Sequence, residues 1–210
     1  AMKRIIKHLI LVPLFGLLLT SCVTEQSLDT KIIEKEDLYD LIIEDGELIP
    51  GEGLSWYMDK NDFLNSEYSS GKLDPESSEF EEHRISNSEN GPTGISPDIE
   101  VKLKKYDAPI YTICLFDEKD QLIKVCYRLY YPSDSVDGYA NLLNDLCRTA
   151  DSFDELLAST PAFENFASTA ILESPISIKW HHISQSAYFQ INSVNFQNYL
   201  IIDLILSVDD

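Results

Sequence analysis

The chain has 210 residues, enough for one ordinary domain. A hydrophobic share of 44% and an aromatic share of 10% exclude a mainly disordered chain and allow a core. With 16 Lys+Arg against 36 Asp+Glu the net charge is −20, which makes nucleic acid a poor partner, because phosphates are neutralised by cationic side chains. The acidity reads first as solubility.

The N-terminus reads AMKRIIKHLILVPLFGLLLTSC, with Lys3, Arg4 and Lys7 ahead of an apolar run from Leu9 to Leu19 that Pro13 and Gly16 interrupt. A bilayer-spanning helix needs about 20 apolar residues, so residues 1–21 are expected to be a signal peptide. Leu19-Thr20-Ser21-Cys22 resembles the lipobox of bacterial lipoproteins. That resemblance implies cleavage before Cys22 and attachment there of a diacylglyceryl group with acyl chains such as palmitate. It implies an extracytoplasmic, lipid-anchored place in the cell envelope, at the outer membrane or cell surface. The alternative is ordinary secretory cleavage with Cys22 left as a structural thiol, but no A-x-A site lies nearby. The mature chain 22–210 would keep 13 Lys+Arg against 36 Asp+Glu, a net charge of −23. Anionic lipid repels such a body, so the acyl chains must anchor it, at about 0.8 kcal/mol per buried CH₂.

Residues 22–31 are polar and suit a tether, and 32–210 are expected to form one α+β domain. Leu38, Leu41 and Ile42 have helical spacing, with Gly46 and Pro50 to end the helix, though the Ile42-Ile43 run also admits a strand. Asp59 is a candidate N-cap for a short helix carrying Phe63 and Leu64. Residues 69–98 are polar and acidic and are expected to form a mobile loop, of which 79–86 could pair as an edge strand.

From residue 99 the strand signals strengthen. IEVKL, PIYTICLF and LIKVCYRLYY predict three antiparallel strands joined as a meander. In the third, Ile123, Val125, Tyr127, Leu129 and Tyr131 are expected to face the core, with Lys124, Cys126, Arg128 and Tyr130 outward. Residues 137–150 form the clearest helix, with an apolar stripe of Tyr139, Leu142, Leu143, Leu146, Cys147 and Ala150. The capping-box pattern SFDE at 152–155 predicts another helix, and Thr160-Pro161 a further start. Three closing strands should turn Ile176, Ile178, Trp180 and His182 to one side, then Phe189 and Ile191 inward, then Leu200, Ile202, Leu204 and Leu206 inward.

The resulting fold class is α+β: an antiparallel meander sheet with helices on one face, in two roughly similar halves of helix then three strands. It resembles the small secreted domains that include beta-lactamase inhibitory protein and the SmpA/OmlA-type outer-membrane assembly lipoproteins. GLSWYMDKNDFL resembles their helix-opening motif, with Tyr57 where that motif often has glycine after the tryptophan. The resemblance implies protein binding and no catalysis, and with the lipid anchor the expected partner is another envelope protein.

No nucleophile elbow, phosphate loop or H-E-x-x-H is present. No cofactor or metal is expected, since no two Cys or His have ligand spacing. A three-residue turn centred on Lys119 would put Tyr111, Ile113 and Leu115 on the core face and Cys114 beside Cys126 on the other. A disulfide is then within reach, with separate buried thiols the commoner alternative. Adjacent strand residues point to opposite faces, so His181 and His182 cannot share an ion, and His182 is expected to be a hydrogen-bonded core histidine.

The last strand is apolar on both faces, since Tyr199, Ile201 and Ile205 back onto Leu200, Ile202 and Leu204. Arg128, Tyr130, Tyr188, Tyr199 and Ile201 therefore make the candidate partner-binding face. The competing reading is a central strand covered by another segment, such as residues 32–45, and the usual alternation of half-wet sheets favours that cover. The functional expectation is a non-catalytic, lipid-anchored protein-binding or envelope-assembly module. Alternatives are a small-molecule or glycan binder using a pocket lined by Trp56, Trp180 and tyrosines, and a hydrolase of unrecognised type.

Overall fold

A computed structural model describes residues 31–66, 82–84, 93–95, 99–106, 108–132, 136–159, 176–196 and 199–208. The expected signal peptide, Cys22, the expected Thr160-Pro161 helix start and most of the expected loop at 69–98 lie outside them. The described part is α+β and rich in sheet. Twelve strands and three helices run in the order β1 (Lys31–Lys35), α1 (Leu38–Ile42), β2 (Ile43–Glu44), β3 (Glu47–Leu48), α2 (Lys60–Leu64), β4 (Glu82–Arg84), β5 (Thr93–Ile95), β6 (Ile99–Leu103), β7 (Ala108–Phe116), β8 (Leu122–Pro132), α3 (Val136–Asp151), β9 (Leu157–Ser159), β10 (Ile176–His182), β11 (Ala187–Phe196) and β12 (Tyr199–Val208). No helix among the described residues is long and apolar enough to cross a membrane.

The main sheet runs β1-β6-β7-β8-β12-β11-β10-β9, with β5 also on β7 and β4 on β5. Two antiparallel meanders, β6-β7-β8 and β10-β11-β12, meet along their last strands, where Leu204 pairs with Tyr127. The sheet is mixed rather than wholly antiparallel, because β1 lies parallel to β6 from Lys31↔Ile99 to Lys35↔Leu103. A parallel pair needs a crossover, and α1, the β2–β3 hairpin and α2 occupy that connection.

Local chemistry sets the short elements. Asp37 caps α1 by accepting from the N–H groups of Tyr39 and Asp40. Residue 43 then begins a strand, so the Ile42-Ile43 pair is split between helix and hairpin. Asp45 and Gly46 turn that hairpin with φ of 51° and 80°, the left-handed pair that a two-residue turn requires. Asp59 caps α2 by accepting from Asn61 N–H at 2.8 Å, and Phe63 is fully buried on the ring of Phe116.

Helix α3 buries Tyr139, Leu143, Leu146, Cys147 and Ala150 against the sheet, with Leu142 partly covered. Its stripe carries over from the sequence. The helix expected at 152–155 does not form. Ser152 instead donates its hydroxyl to Thr149 O at 2.7 Å, closing the end of α3. Phe153 is buried and receives Leu157 N–H on its carbonyl at 2.7 Å, so the chain turns straight into β9. Within the region expected to be a loop, residues 82–84 and 93–95 pair as strands, and Ile95 is buried opposite Cys114.

One residue decides the faces of β7. The turn after β7 closes as expected, with Asp117 N–H on Gln121 O at 2.9 Å and Phe116 opposite Leu122. Ile123 is then unpaired, a bulge, and the next pair is Leu115↔Lys124. That extra residue shifts the register by one, and a shift of one sends every side chain of the partner strand to the other face. Thr112, Cys114 and Phe116 are therefore buried inward and Tyr111 points out. The expected inward set Tyr111, Ile113 and Leu115 is overturned.

Candidate functional site

The helices, the β2–β3 hairpin and the segment that follows it all sit on the inner face of the sheet. Tyr127 donates its hydroxyl to Pro50 O at 2.7 Å, and α1 packs against α3. Residues 32–45 therefore do not cover the outer face; they supply an edge strand and an inner-face helix.

At one end of the outer face three tyrosines from three adjacent strands touch edge to face. Tyr111 and Tyr130 have ring centroids 6.1 Å apart at 61°, and Tyr130 and Tyr199 are 6.1 Å apart at 83°. They are 46%, 47% and 48% exposed, so each ring shows half its surface to solvent. Ile201, opposite Tyr130 on β12, is only 8% exposed and forms part of the floor. A cleft of about 500 Å³ opens beside the cluster, between Pro109, Tyr130, Pro132 and the start of α3 at Gly138.

One row further along the sheet, Arg128 makes a two-pronged ion pair with Asp203, Nε to Oδ1 at 2.7 Å and an Nη to Oδ2 at 2.8 Å. The two residues face each other across β8 and β12. Hydrogen bonding to Asp203 raises the guanidinium's already high pKa, so Arg128 stays charged. The pair neutralises itself and fixes both side chains in place, as bidentate carboxylate pairs do.

Tyr188 shares the outer face but not the cluster. It lies opposite Ser207, six positions along β12 from Ile201 or about 20 Å away. There Lys179 Nζ sits 3.3 Å from its ring centroid, and the His181 ring lies 6.0 Å away, tilted by 53°. The five expected residues thus form a tyrosine end with Arg128 and Ile201, and a separate Lys179–Tyr188 end. Tyr111 belongs to the first group, and the bulge hid it.

Among the described residues the three cysteines do not pair. Cys114 faces inward opposite Val125, and Cys126 faces outward opposite Ile113, so the sheet lies between the two sulfurs. The Cys114–Cys126 disulfide expectation is overturned for the same reason as the β7 faces. Burial holds both thiols well above the usual range, reinforced at Cys126 by Asp203, and pushes Cys147 up to about 12. All three stay protonated near neutral pH and lack the thiolate a nucleophile needs.

His182 is buried and spends both ring nitrogens on the backbone. Nδ1 accepts from Ser184 N–H at 3.3 Å, which leaves Nε2 to donate to Gly46 O at 3.0 Å. The two indoles expected in a ligand pocket are also committed inside. Trp180 stacks on Phe189 at 5.6 Å and donates to Asp151 at 3.0 Å, while Trp56 packs on the core and donates to Leu48 O at 2.8 Å. Among the described residues no group of three His, Cys, Asp or Glu side chains is placed to hold a metal ion.

Comparison with family models, with curated proteins and with solved structures returned no match for this chain.

Proposed function

We propose that this protein is a non-catalytic docking module of the bacterial cell envelope, exported by residues 1–21, anchored through lipid on Cys22 and engaging a partner protein with the outer face of its sheet. The observation that carries the docking role is the row of Tyr111, Tyr130 and Tyr199, each half exposed and held in place by its neighbour. Tyrosine supplies large contact area at small entropic cost and is favoured where partners bind.

Two features support the resemblance to the helix-then-three-strands family. The two meanders join symmetrically at β8 and β12. Tyr57 has φ of 62°, the left-handed conformation that glycine adopts freely, and glycine is what the resembling motif often has there. The sequence of the first 22 residues supports the lipid anchor.

A photo-cross-linking side chain at position 130 in living cells tests the docking role. The expected result is a discrete protein adduct that Tyr199→Ala weakens. Equal labelling from position 40 on α1, on the opposite side of the sheet, would overturn it. Mass spectrometry of the mature N-terminus, with Cys22→Ala as control, tests the anchor, and an unmodified Cys22 would refute it.

A further inference from the structure

The cleft beside the tyrosine row is chemically unlike the rest of this molecule. It occupies about 500 Å³ at the end of the sheet, between Pro109 on β7, Tyr130, Tyr131 and Pro132 on β8, Tyr106 after β6, and Leu142 on α3. The sequence carries 36 acidic side chains against 16 basic ones. Yet no side chain lining the cleft is a carboxylate, an amine, a guanidinium, an imidazole or an amide. Tyrosine and proline rings dominate its wall.

Each of the three phenol rings is held by a different neighbour. The Tyr106 hydroxyl shares a hydrogen bond of 3.1 Å with the Thr149 hydroxyl on α3. The Tyr131 ring lies 6.2 Å from that of Tyr139, and Tyr130 stands between Tyr111 and Tyr199. A wall ordered before binding lowers the entropic cost of association. One side of the cleft is open to solvent, since Pro109 and Pro132 are exposed and Tyr130 is half exposed.

These features select among occupants. An added β-strand needs unpaired backbone groups at a sheet edge. Here β7 and β8 have neighbours on both sides, Pro109 lies opposite Lys102 and Pro132 opposite Tyr199, and neither proline has an N–H to give. A sugar needs side chains that fix the direction of its hydroxyls, and the wall offers no amide or carboxylate. An acyl chain in an open cleft would leave part of its apolar surface in water. A polyproline II segment fits where these three do not. It has no internal hydrogen bonds, its backbone stays solvated on the open side, and its rings pack on aromatic walls.

We infer that the partner docks through an uncharged proline-rich segment in the polyproline II conformation, with basic residues on either side of it. The inference rests on the docking role proposed above and names the chemistry of the partner. The uncharged core follows from the cleft wall. The basic flanks follow from the net charge of −20, whose field draws cations towards the body around the cleft.

The test uses the full-length chain in detergent micelles and a fluorophore-labelled decaproline with arginines at both ends, read by fluorescence polarisation. The expected result is saturable binding, about tenfold or more tighter than that of the same peptide with alanine in place of proline. Tyr130→Ala should weaken it about tenfold or more. Gly138→Gln places a side chain in the cleft and suits a helix better than glycine does, so it should abolish binding while the urea midpoint is kept. Tyr188→Ala, at the far end of the outer face, should leave binding unchanged. Raising NaCl from about 0.05 to about 0.5 M should weaken the arginine-flanked peptide and leave plain decaproline as it was. Absence of saturable binding, equal binding of the alanine peptide, or binding indifferent to both Tyr130→Ala and Gly138→Gln would overturn the inference. Binding of cellohexaose in place of the proline peptide would assign the cleft to a sugar and overturn it as well. The in-cell adduct at position 130 is read independently: an adduct of a protein without a proline-rich segment would keep the docking role and discard this occupant.

Discussion

The two faces of the sheet use the same residue types to opposite ends. Inward, the largest aromatics are enclosed: Tyr127 donates to Pro50 O, Trp180 donates to Asp151, and the ring of Phe116 packs on that of Phe63. Outward, Tyr111, Tyr130 and Tyr199 lean on one another and leave half their surface free. The lesson is that apolarity on both faces of β12 means different things on each. One side is bound by packing within the chain, and the other is ordered by its neighbours yet unspent.

That contrast can be broken from the inside first. Phe116→Ala removes a fully buried ring and should cost about 3–5 kcal/mol in urea unfolding. Alkaline pH attacks the same face. Thiols in the unfolded chain ionise near pH 9, while Cys147 holds its proton to about 12. Its contribution is intact below pH 9 and is lost as pH rises towards 12. Stability should fall by about 1.4 kcal/mol for each pH unit per buried thiol, and Cys147→Ala should remove one thiol's share of the slope.

On the outer face the effects should shrink. Asp203→Ala leaves the partly buried Arg128 charge without its carboxylate and should cost about 2 kcal/mol. Replacing both, as Arg128→Met with Asp203→Leu, should recover most of that. Tyr130→Ala loses two edge contacts and should change stability by about 1 kcal/mol or less, and Tyr199→Ala should change it as little while weakening the adduct formed from position 130. A Tyr130→Ala loss as large as that of Phe116→Ala would mean the outer tyrosines are core and would erase the contrast.

Strong periods made much of this legible. The alternation of β8 beyond its bulge, of β10 and of β12, with the stripe of α3, is strong enough to decide their faces, and it puts Arg128, Tyr130 and Tyr199 outward. The sequence of β7 offered no such decision, because Ile113 and Leu115 on one side rival Cys114 and Phe116 on the other. Only register could choose, and Ile123 chose against expectation. SFDE has the pattern of a helix start, but burial of Phe153 and Leu157 outweighed a cap worth about 1 kcal/mol. Asp45-Gly46 is a dipeptide that can turn a hairpin, but Gly46 followed by Pro50 reads equally well as a helix stop. Strand β1 was missed because five residues pairing with a distant strand carry almost no local signal.

The meeting of the two meanders at β8 and β12 also dictates the order of assembly. β12 follows every other strand along the chain, yet it lies in the middle of the sheet, hydrogen-bonded to β11 on one side and β8 on the other. The first meander can form early but keeps the long edge of β8 open until the last strand arrives. The centre of the sheet is therefore unfinished until residues 199–208 are in place.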